Sequence, residues 1–209
     1  MTKIWGPLGW ATLHSVAALY PDSPSELEKA LLVRWISAFA KTIVCEKCQG
    51  HFEAFLRSYT QPWSTSRREF SLFVLRAHNA VNARNGQKIL TVSEAFAALR
   101  IHVAEDKAAL QRQSYILYIR NDWNRNTTLG GITAARYIHE MVATETSYWS
   151  TRTYTWDDVE ALLTDVSILP PTKPTPKRSA PIIRMPTNTV TYTHRNVTSG
   201  TPRFSFLSR

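Results

Sequence analysis

Apolar side chains recur at intervals of three and four through most of the first hundred residues, and this spacing constrains the chain more than any other feature. A chain patterned this way can bury its apolar groups only as packed helices. Trp10, Leu13, Val16, Ala17 and Tyr20 make the first row, and Pro21 stops it. Ser23-Pro24-Ser25-Glu26 then supplies an N-cap, a proline at the first helical position and an early carboxylate. Leu27, Leu31, Leu32, Trp35, Phe39 and Ile43 form the stripe of a second helix that ends near Val44. A third helix is predicted from the cysteines through Phe52, Phe55, Leu56 and Tyr59. The fourth opens with the capping-box pattern Ser66-Arg67-Arg68-Glu69 and continues through Phe70, Phe73, Val74, Ala77 and Val81 to Gly86. Thr91-Val92-Ser93-Glu94 caps a shorter fifth helix through Phe96, Leu99 and Ile101. No convincing alternating run intervenes, so residues 1–103 read as all-α: a four-helix bundle plus a short fifth helix.

Residues 104–169 are less regular and read as a helical extension, with helices at about 104–120, 131–145 and 156–166. Its aromatics, Tyr115, Tyr118, Trp123, Tyr137, Trp149 and Trp156, are expected to pack on the bundle or on a second subunit. Residues 170–209 change character: they hold seven Lys or Arg, no Asp or Glu, and seven of the eleven prolines. Removing those seven charges from the formal +9 leaves +2 for the first 169 residues, so the basicity belongs to the tail. Such a composition predicts a disordered basic arm. It attracts nucleic acid, acidic protein or an anionic membrane surface without selecting among them. A solvated linker is the default reading, and contact with nucleic acid the weaker one.

With 44% apolar and 20% charged residues, the bulk of the chain is not a disordered polymer. No apolar run approaches the roughly 18 residues of a membrane span. Met1-Thr2-Lys3-Ile4-Trp5-Gly6-Pro7 has no charged segment leading into an apolar stretch, so a cytosolic protein is expected. Two cysteines, Cys45 and Cys48, exclude a scaffold held by several disulfides.

The chemistry gathers at Cys45-Glu46-Lys47-Cys48. Two intervening residues permit a local disulfide, and the start of a helix favours thiolate through its free N–H groups and dipole. Lys41 and Lys47 would add to that effect. A lone CxxC leaves three readings open: a redox pair, half of a zinc site, or ordinary thiols. Zinc needs four ligands, and no second CxxC or HxxxH supplies the rest. A thioredoxin-like domain would need alternating strands and helices. His14 lies four residues after Trp10, His51 follows Cys48 by nearly a turn, and His78 and Asn82 share one helix face. Each taken alone is more often structural. Together with tryptophans and a dithiol they could line a slot for a flat aromatic cofactor.

The series Trp5-Gly6-Pro7, Trp10-Ala11-Thr12-Leu13-His14, Tyr20-Pro21-Asp22, Cys45-Glu46-Lys47-Cys48-Gln49-Gly50-His51-Phe52 and His78-Asn79-Ala80-Val81-Asn82-Ala83-Arg84 resembles the Erv/ALR family of FAD-linked sulfhydryl oxidases. The resemblance spans about residues 4–100. It implies noncovalent FAD within a helical bundle, oxidation of protein dithiols to disulfides, and transfer of the electrons to oxygen to give hydrogen peroxide. It makes Cys48 the flavin-proximal sulfur and Cys45 the interchange thiol attacked by a substrate thiolate. Trp10 and His14 correspond to cofactor contacts on the first helix. His51, His78, Asn79, Val81 and Asn82 correspond to contacts around the adenine and ribose, and Lys88 to a phosphate contact.

The chain departs from the family pattern at Val44, where many relatives have proline, and at Gln87, which separates Gly86 from Lys88. It also lacks the second, shuttle dithiol of cellular relatives, so a thioredoxin-like or virion protein is the expected substrate. Compact forms with a single CxxC are similar to the oxidases of large DNA viruses, which would place the protein in host cytoplasm or virion. Homodimerisation through bundle helices is expected from the family. The rival reading is a nonenzymatic helical interaction protein with structural cysteines, binding nucleic acid or a capsid component through its tail. A zinc module using Cys45, Cys48 and His51 with His14 or His78 is the third.

Overall fold

The computed structural model describes residues 4–125, 129–164 and 166–170, and every regular element among them is a helix. The bundle comprises α1 (Trp5–Leu19), α2 (Glu26–Thr42), α3 (Glu46–Ser58), α4 (Arg67–Arg84) and the shorter α5 (Val92–His102). The extension follows as α6 (Ala108–Trp123), α7 (Leu129–Ser147) and the six-residue α8 (Trp156–Ala161), with 3-10 turns at Glu105–Lys107 and Trp149–Thr151. Of the basic tail expected over 170–209, all but Pro170 lies outside the described residues. No helix among the described residues is long and apolar enough to cross a membrane.

The ends of the helices follow local chemistry. Thr91 and Glu94 form the full capping box at the start of α5. At α2 the cap is Ser25, which corrects the expectation that Ser23 caps and Pro24 opens the helix. Ser25 Oγ accepts the Glu28 N–H at 3.3 Å and the Glu28 carboxylate accepts the Ser25 N–H at 2.8 Å. That reciprocal pair satisfies two otherwise free donors, which no cap at Ser23 could do, and it leaves Pro24 outside the helix. Ser66 accepts the Glu69 N–H at the head of α4, but the return bond is absent and Glu69 pairs with Arg68 instead. Gly86, at φ 66°, takes the left-handed conformation that turns the chain after α4.

The apolar stripe of α2 is narrower than its spacing suggests. Leu27 is 83% exposed, whereas Leu32, Trp35, Ile36 and Phe39 are buried. Leu27 sits in the first turn, off the row that faces the other helices.

Two cores result, and the extension enters both. The larger joins Val16, Trp35, Phe39, Phe70 and Phe73 of the bundle to Tyr115, Ile119, Met141 and Trp149 of the extension. The smaller joins Leu72, Leu75, Phe96 and Leu99 to Trp156, Leu163 and Ile168. The extension aromatics therefore pack on this chain's own bundle: Tyr115 and Trp149 are fully buried and Trp156 nearly so. The described residues belong to one compact unit.

α6 lies along α1, where Gly9 permits a close approach: a Cβ there would stand 3.3 Å from Tyr115 Cε2. α7 lies along α2, and the Thr42 hydroxyl contacts Met141 Sδ at 3.5 Å. Between α6 and α7, Arg112 and Glu145 form a bidentate ion pair with side chains only 3% and 7% exposed. Glu28 ties the extension to the α2 cap by accepting from Tyr148 Oη at 2.6 Å and Arg152 Nη2 at 2.8 Å. These bonds hold its carboxyl down at about 2, the Tyr148 hydroxyl being the largest cause. Trp123 Nε1 donates to the Thr42 carbonyl at 2.9 Å, satisfying an acceptor at the end of α2, three residues before Cys45.

Candidate active site

Cys45 and Cys48 are joined by a disulfide across the first turn of α3, with Cα atoms 5.1 Å apart. Cys45 is the N-cap, and its Sγ accepts the Cys48 N–H at 3.2 Å. The cap position follows from the sequence: Val44 and Cys45 are extended or loop residues after α2, and Glu46 opens the next helix with a carboxylate at its positive end. Lys41, expected to act on the sulfurs, is engaged by a carboxylate. Its ammonium bonds Glu53 at 2.7 Å, locking α2 to α3, and this bond holds the Glu53 carboxyl below its ordinary range.

Beside the disulfide lies a cavity of about 900 Å³ bounded by α1, α3, α4 and α5. Cys48 lines it and Cys45 does not, so the two sulfurs face different surroundings. Trp10, His14, His51, His78, Asn79, Val81 and Asn82 all line the cavity as well. The fold thus brings to one place residues separated by up to 72 positions, Trp10 to Asn82.

Trp10 and His78 stack face to face, centroids 4.1 Å apart and planes 6° from parallel. His14 Nε2 and His78 Nδ1 lie 3.0 Å apart, one donating and the other accepting. Burial disfavours charge on both imidazoles: His14 is lowered well below its ordinary value, with His78 a secondary cause, and His78 is lowered to about 4. The pair is therefore a neutral, hydrogen-bonded aromatic wall. A different polarity prevails near α3, where desolvation and then the neighbouring Arg84 and Lys47 charges lower the His51 imidazole. Arg84 and Lys47 line the cavity and give that side a positive field. Phe39, Phe52, Phe55 and Leu75 supply apolar walls.

Two of the sequence-selected residues are placed otherwise than expected. Lys88 does not line the cavity; it is exposed and pairs with Glu94 at 2.6 Å across the α5 cap. Arg84 is the α4 cation on the cavity, a role the family resemblance gives to Lys88. Asn79 reaches the cavity wall, but its amide is engaged by the chain. It donates to the Leu90 and Ile168 carbonyls, each at 2.9 Å, and accepts the Leu90 N–H at 3.0 Å. Gln111 and Ile168 of the extension also line the cavity, and nothing in their sequence context marks them. The zinc alternative would need both sulfurs as ligands, whereas here they are bonded to each other.

Residues 8–100 match the model of the Erv1 / Alr family. A protein of Invertebrate iridescent virus 3 is 34% identical over 108 residues, which cover 51% of this chain and 73% of that protein. An FAD-linked sulfhydryl oxidase of African swine fever virus is 33% identical over 90 residues, covering 43% of this chain and 75% of its own length. The mitochondrial FAD-linked sulfhydryl oxidase of Saccharomyces cerevisiae is 34% identical over 79 residues, 38% of this chain and 41% of the yeast protein. The matched span contains the disulfide, the stacked Trp10 and His78, and most of the cavity wall, and on these grounds the chain belongs to the Erv1 / Alr family.

Proposed function

We propose that this protein is an FAD-linked sulfhydryl oxidase that makes disulfides in protein dithiols. The observation that carries the reading is the division of the CxxC pair: Cys48 borders a large cavity with aromatic walls while Cys45 stands outside it. The cavity fits the cofactor. Its volume of about 900 Å³ is at the upper end of the roughly 300–1,000 Å³ of ligand pockets. Neutral aromatic and apolar walls suit flat rings, and Arg84, Lys47 and His51 suit a pyrophosphate. FAD held there would supply the two-electron redox chemistry that couples the reduced cysteine pair to oxygen, two electrons and two protons giving hydrogen peroxide.

The chain's own part is thiol exchange and positioning. A substrate thiolate attacks Cys45 Sγ, forming a mixed disulfide and releasing Cys48 as a thiolate. The substrate's second thiolate then attacks its own sulfur in that mixed disulfide. The substrate leaves oxidised, and Cys45 and Cys48 are left reduced by two electrons. The Cys48 N–H and the positive end of α3 hold negative charge on Cys45 as it is released. Trp10, His14 and His78 orient the rings, and His51, Asn82 and Val81 complete the wall. Asn79 serves chiefly to pin the backbone behind that wall, and Lys88 has no contact role in this reading.

The substrate's dithiol belongs to a separate protein, thioredoxin-like or a virion component. Homodimerisation through bundle helices belongs to this reading too. The test is the visible spectrum of the purified protein before and after dithiothreitol in air, with oxygen uptake recorded alongside. About one FAD per chain and oxygen consumption that needs both cysteines are expected. A colourless protein that stays inert after FAD is added would overturn the proposal.

A further inference from the structure

The family match ends at residue 100, yet the cavity does not. Two side chains from the extension help to enclose it: Gln111, one turn into α6, and Ile168, on the segment after α8. Ile168 is 3% exposed and packs with Leu75, Phe96 and Leu99 in the smaller core. Its segment is held down by two bonds from α4. Arg76 Nη2 donates to the Ser167 carbonyl at 3.1 Å, and Asn79 Nδ2 donates to the Ile168 carbonyl at 2.9 Å. The same Asn79 amide bonds Leu90 through both its groups, so one side chain fixes the entry to α5 and the strap together. Gln111 is anchored by its Nε2, which donates to the His102 carbonyl at 2.9 Å. Its Oε1 is buried and accepts nothing among the described residues. A buried acceptor without a donor is costly, and at the wall of a binding cavity the missing donor is one a ligand can bring.

Resting on the FAD reading above, we propose that the extension is part of the cofactor site: Ile168 and its strap close the wall behind Asn79, and Gln111 Oε1 accepts a hydrogen bond from the bound cofactor. The donors available on such a molecule are its ribose and ribityl hydroxyls, its adenine amino group and its flavin ring imide. A cofactor held this way depends on residues more than sixty positions beyond the CxxC. The oxidase core and the extension then act as one binding unit, and loosening the strap releases flavin without touching a redox residue.

The test is the FAD dissociation constant of the full chain, read by flavin fluorescence, with cofactor retention on gel filtration as a second readout. Ile168→Ala is expected to weaken FAD binding about tenfold, and Gln111→Leu, which keeps the volume but removes the acceptor, by about five- to tenfold. Because Ile168→Ala also trims a core, Leu163→Ala is the control. Leu163 is fully buried in the same smaller core but does not line the cavity. That variant is expected to lose comparable stability and to bind FAD as the wild type does. Equal weakening in Ile168→Ala and Leu163→Ala, or unchanged binding in Ile168→Ala and Gln111→Leu, would overturn the inference and leave the oxidase reading standing. A wild-type chain that binds no FAD would overturn both.

Discussion

Two polar pairs among the described residues, one buried and one half-buried, are built on opposite plans. In the extension, Arg112 and Glu145 answer each other's charge: guanidinium Nε and Nη2 face both carboxylate oxygens at 2.8–3.1 Å. In the bundle, His14 and His78 share one hydrogen bond and stand uncharged on the wall of a cavity. The first pair is closed, each charge met by its opposite inside the chain, and it fastens α6 to α7. The second is open, with one nitrogen of each imidazole left outside the shared bond. Polar groups spent internally hold a fold together, whereas those left half-used mark where a ligand belongs.

The largest effect should come from the open side. Cys45→Ser is expected to lower thiol oxidation by on the order of 10³-fold or more while flavin stays bound at wild-type stoichiometry, because it removes the exchanging sulfur and leaves the cavity untouched. Oxygen uptake with a dithiol substrate and the visible spectrum measure the two separately. Undiminished uptake would put the exchange chemistry elsewhere. Cys48→Ser should stop turnover as well, and it alone should alter the flavin spectrum of the reduced protein, since only Cys48 borders the cavity.

On the closed side, Arg112→Met strands a buried carboxylate and is expected to cost about 3–5 kcal/mol in urea unfolding. The double variant Arg112→Met/Glu145→Leu should recover most of that loss and bind flavin like the wild type. A double variant that folds well but cannot hold flavin would show that the ion pair is not merely structural.

The histidine pair gives a subtler signature. Both imidazoles are neutral in the folded protein and protonate in the unfolded chain, so stability is fully present above about 6.5 and falls as pH drops toward the folded His78 value of about 4. Each imidazole contributes a slope of about 1.4 kcal/mol per pH unit in that window. Unfolding of the flavin-free protein between pH 7 and 4.5 measures it, and His14→Asn should reduce the slope by one imidazole's share. An unchanged slope would mean that His14 is not buried as a neutral ring.

How much of this was legible in the sequence follows the range of the interactions. The five bundle helices were readable because Trp10 to Tyr20, Leu32 to Phe39 and Phe70 to Val81 carry their burial pattern locally, and because Ser66 and Thr91 mark their starts. The extension's helices were readable for the same reason, but the surface they cover was not. Tyr115 looks like any aromatic until Gly9 lets α6 approach α1. The sulfurs and histidines were found through motif spacing. Arg84 in place of Lys88, the engagement of Asn79 by backbone, and the wall made by Ile168 were not, since each depends on contacts between distant segments, the Asn79 to Ile168 bond spanning 89 positions. Leu27 shows the limit even within a helix: periodicity gives a direction but not where a neighbour stops.

The smallest expected effect tests whether caps belong to the closed or the open plan. Ser66 caps α4 by accepting the Glu69 N–H at 3.2 Å, and α4 carries His78 about three turns further on. The head of α4 has other anchors as well, because the Arg67 N–H donates to the Pro21 carbonyl at 2.9 Å and Arg67 Nε to the Tyr20 carbonyl at 2.7 Å. Ser66→Ala should therefore cost only about 0.5–1 kcal/mol in urea unfolding. Ser25→Ala, which breaks a reciprocal box whose Glu28 also holds Tyr148 and Arg152, should cost more, about 1–2 kcal/mol. Neither should move the FAD dissociation constant, since a frayed first turn does not shift a side chain three turns away. A shift in flavin affinity with Ser66→Ala would mean that α4 moves as a rigid rod, so that the placement of His78 and Asn79 at the cavity is set as far off as the turn following Pro21.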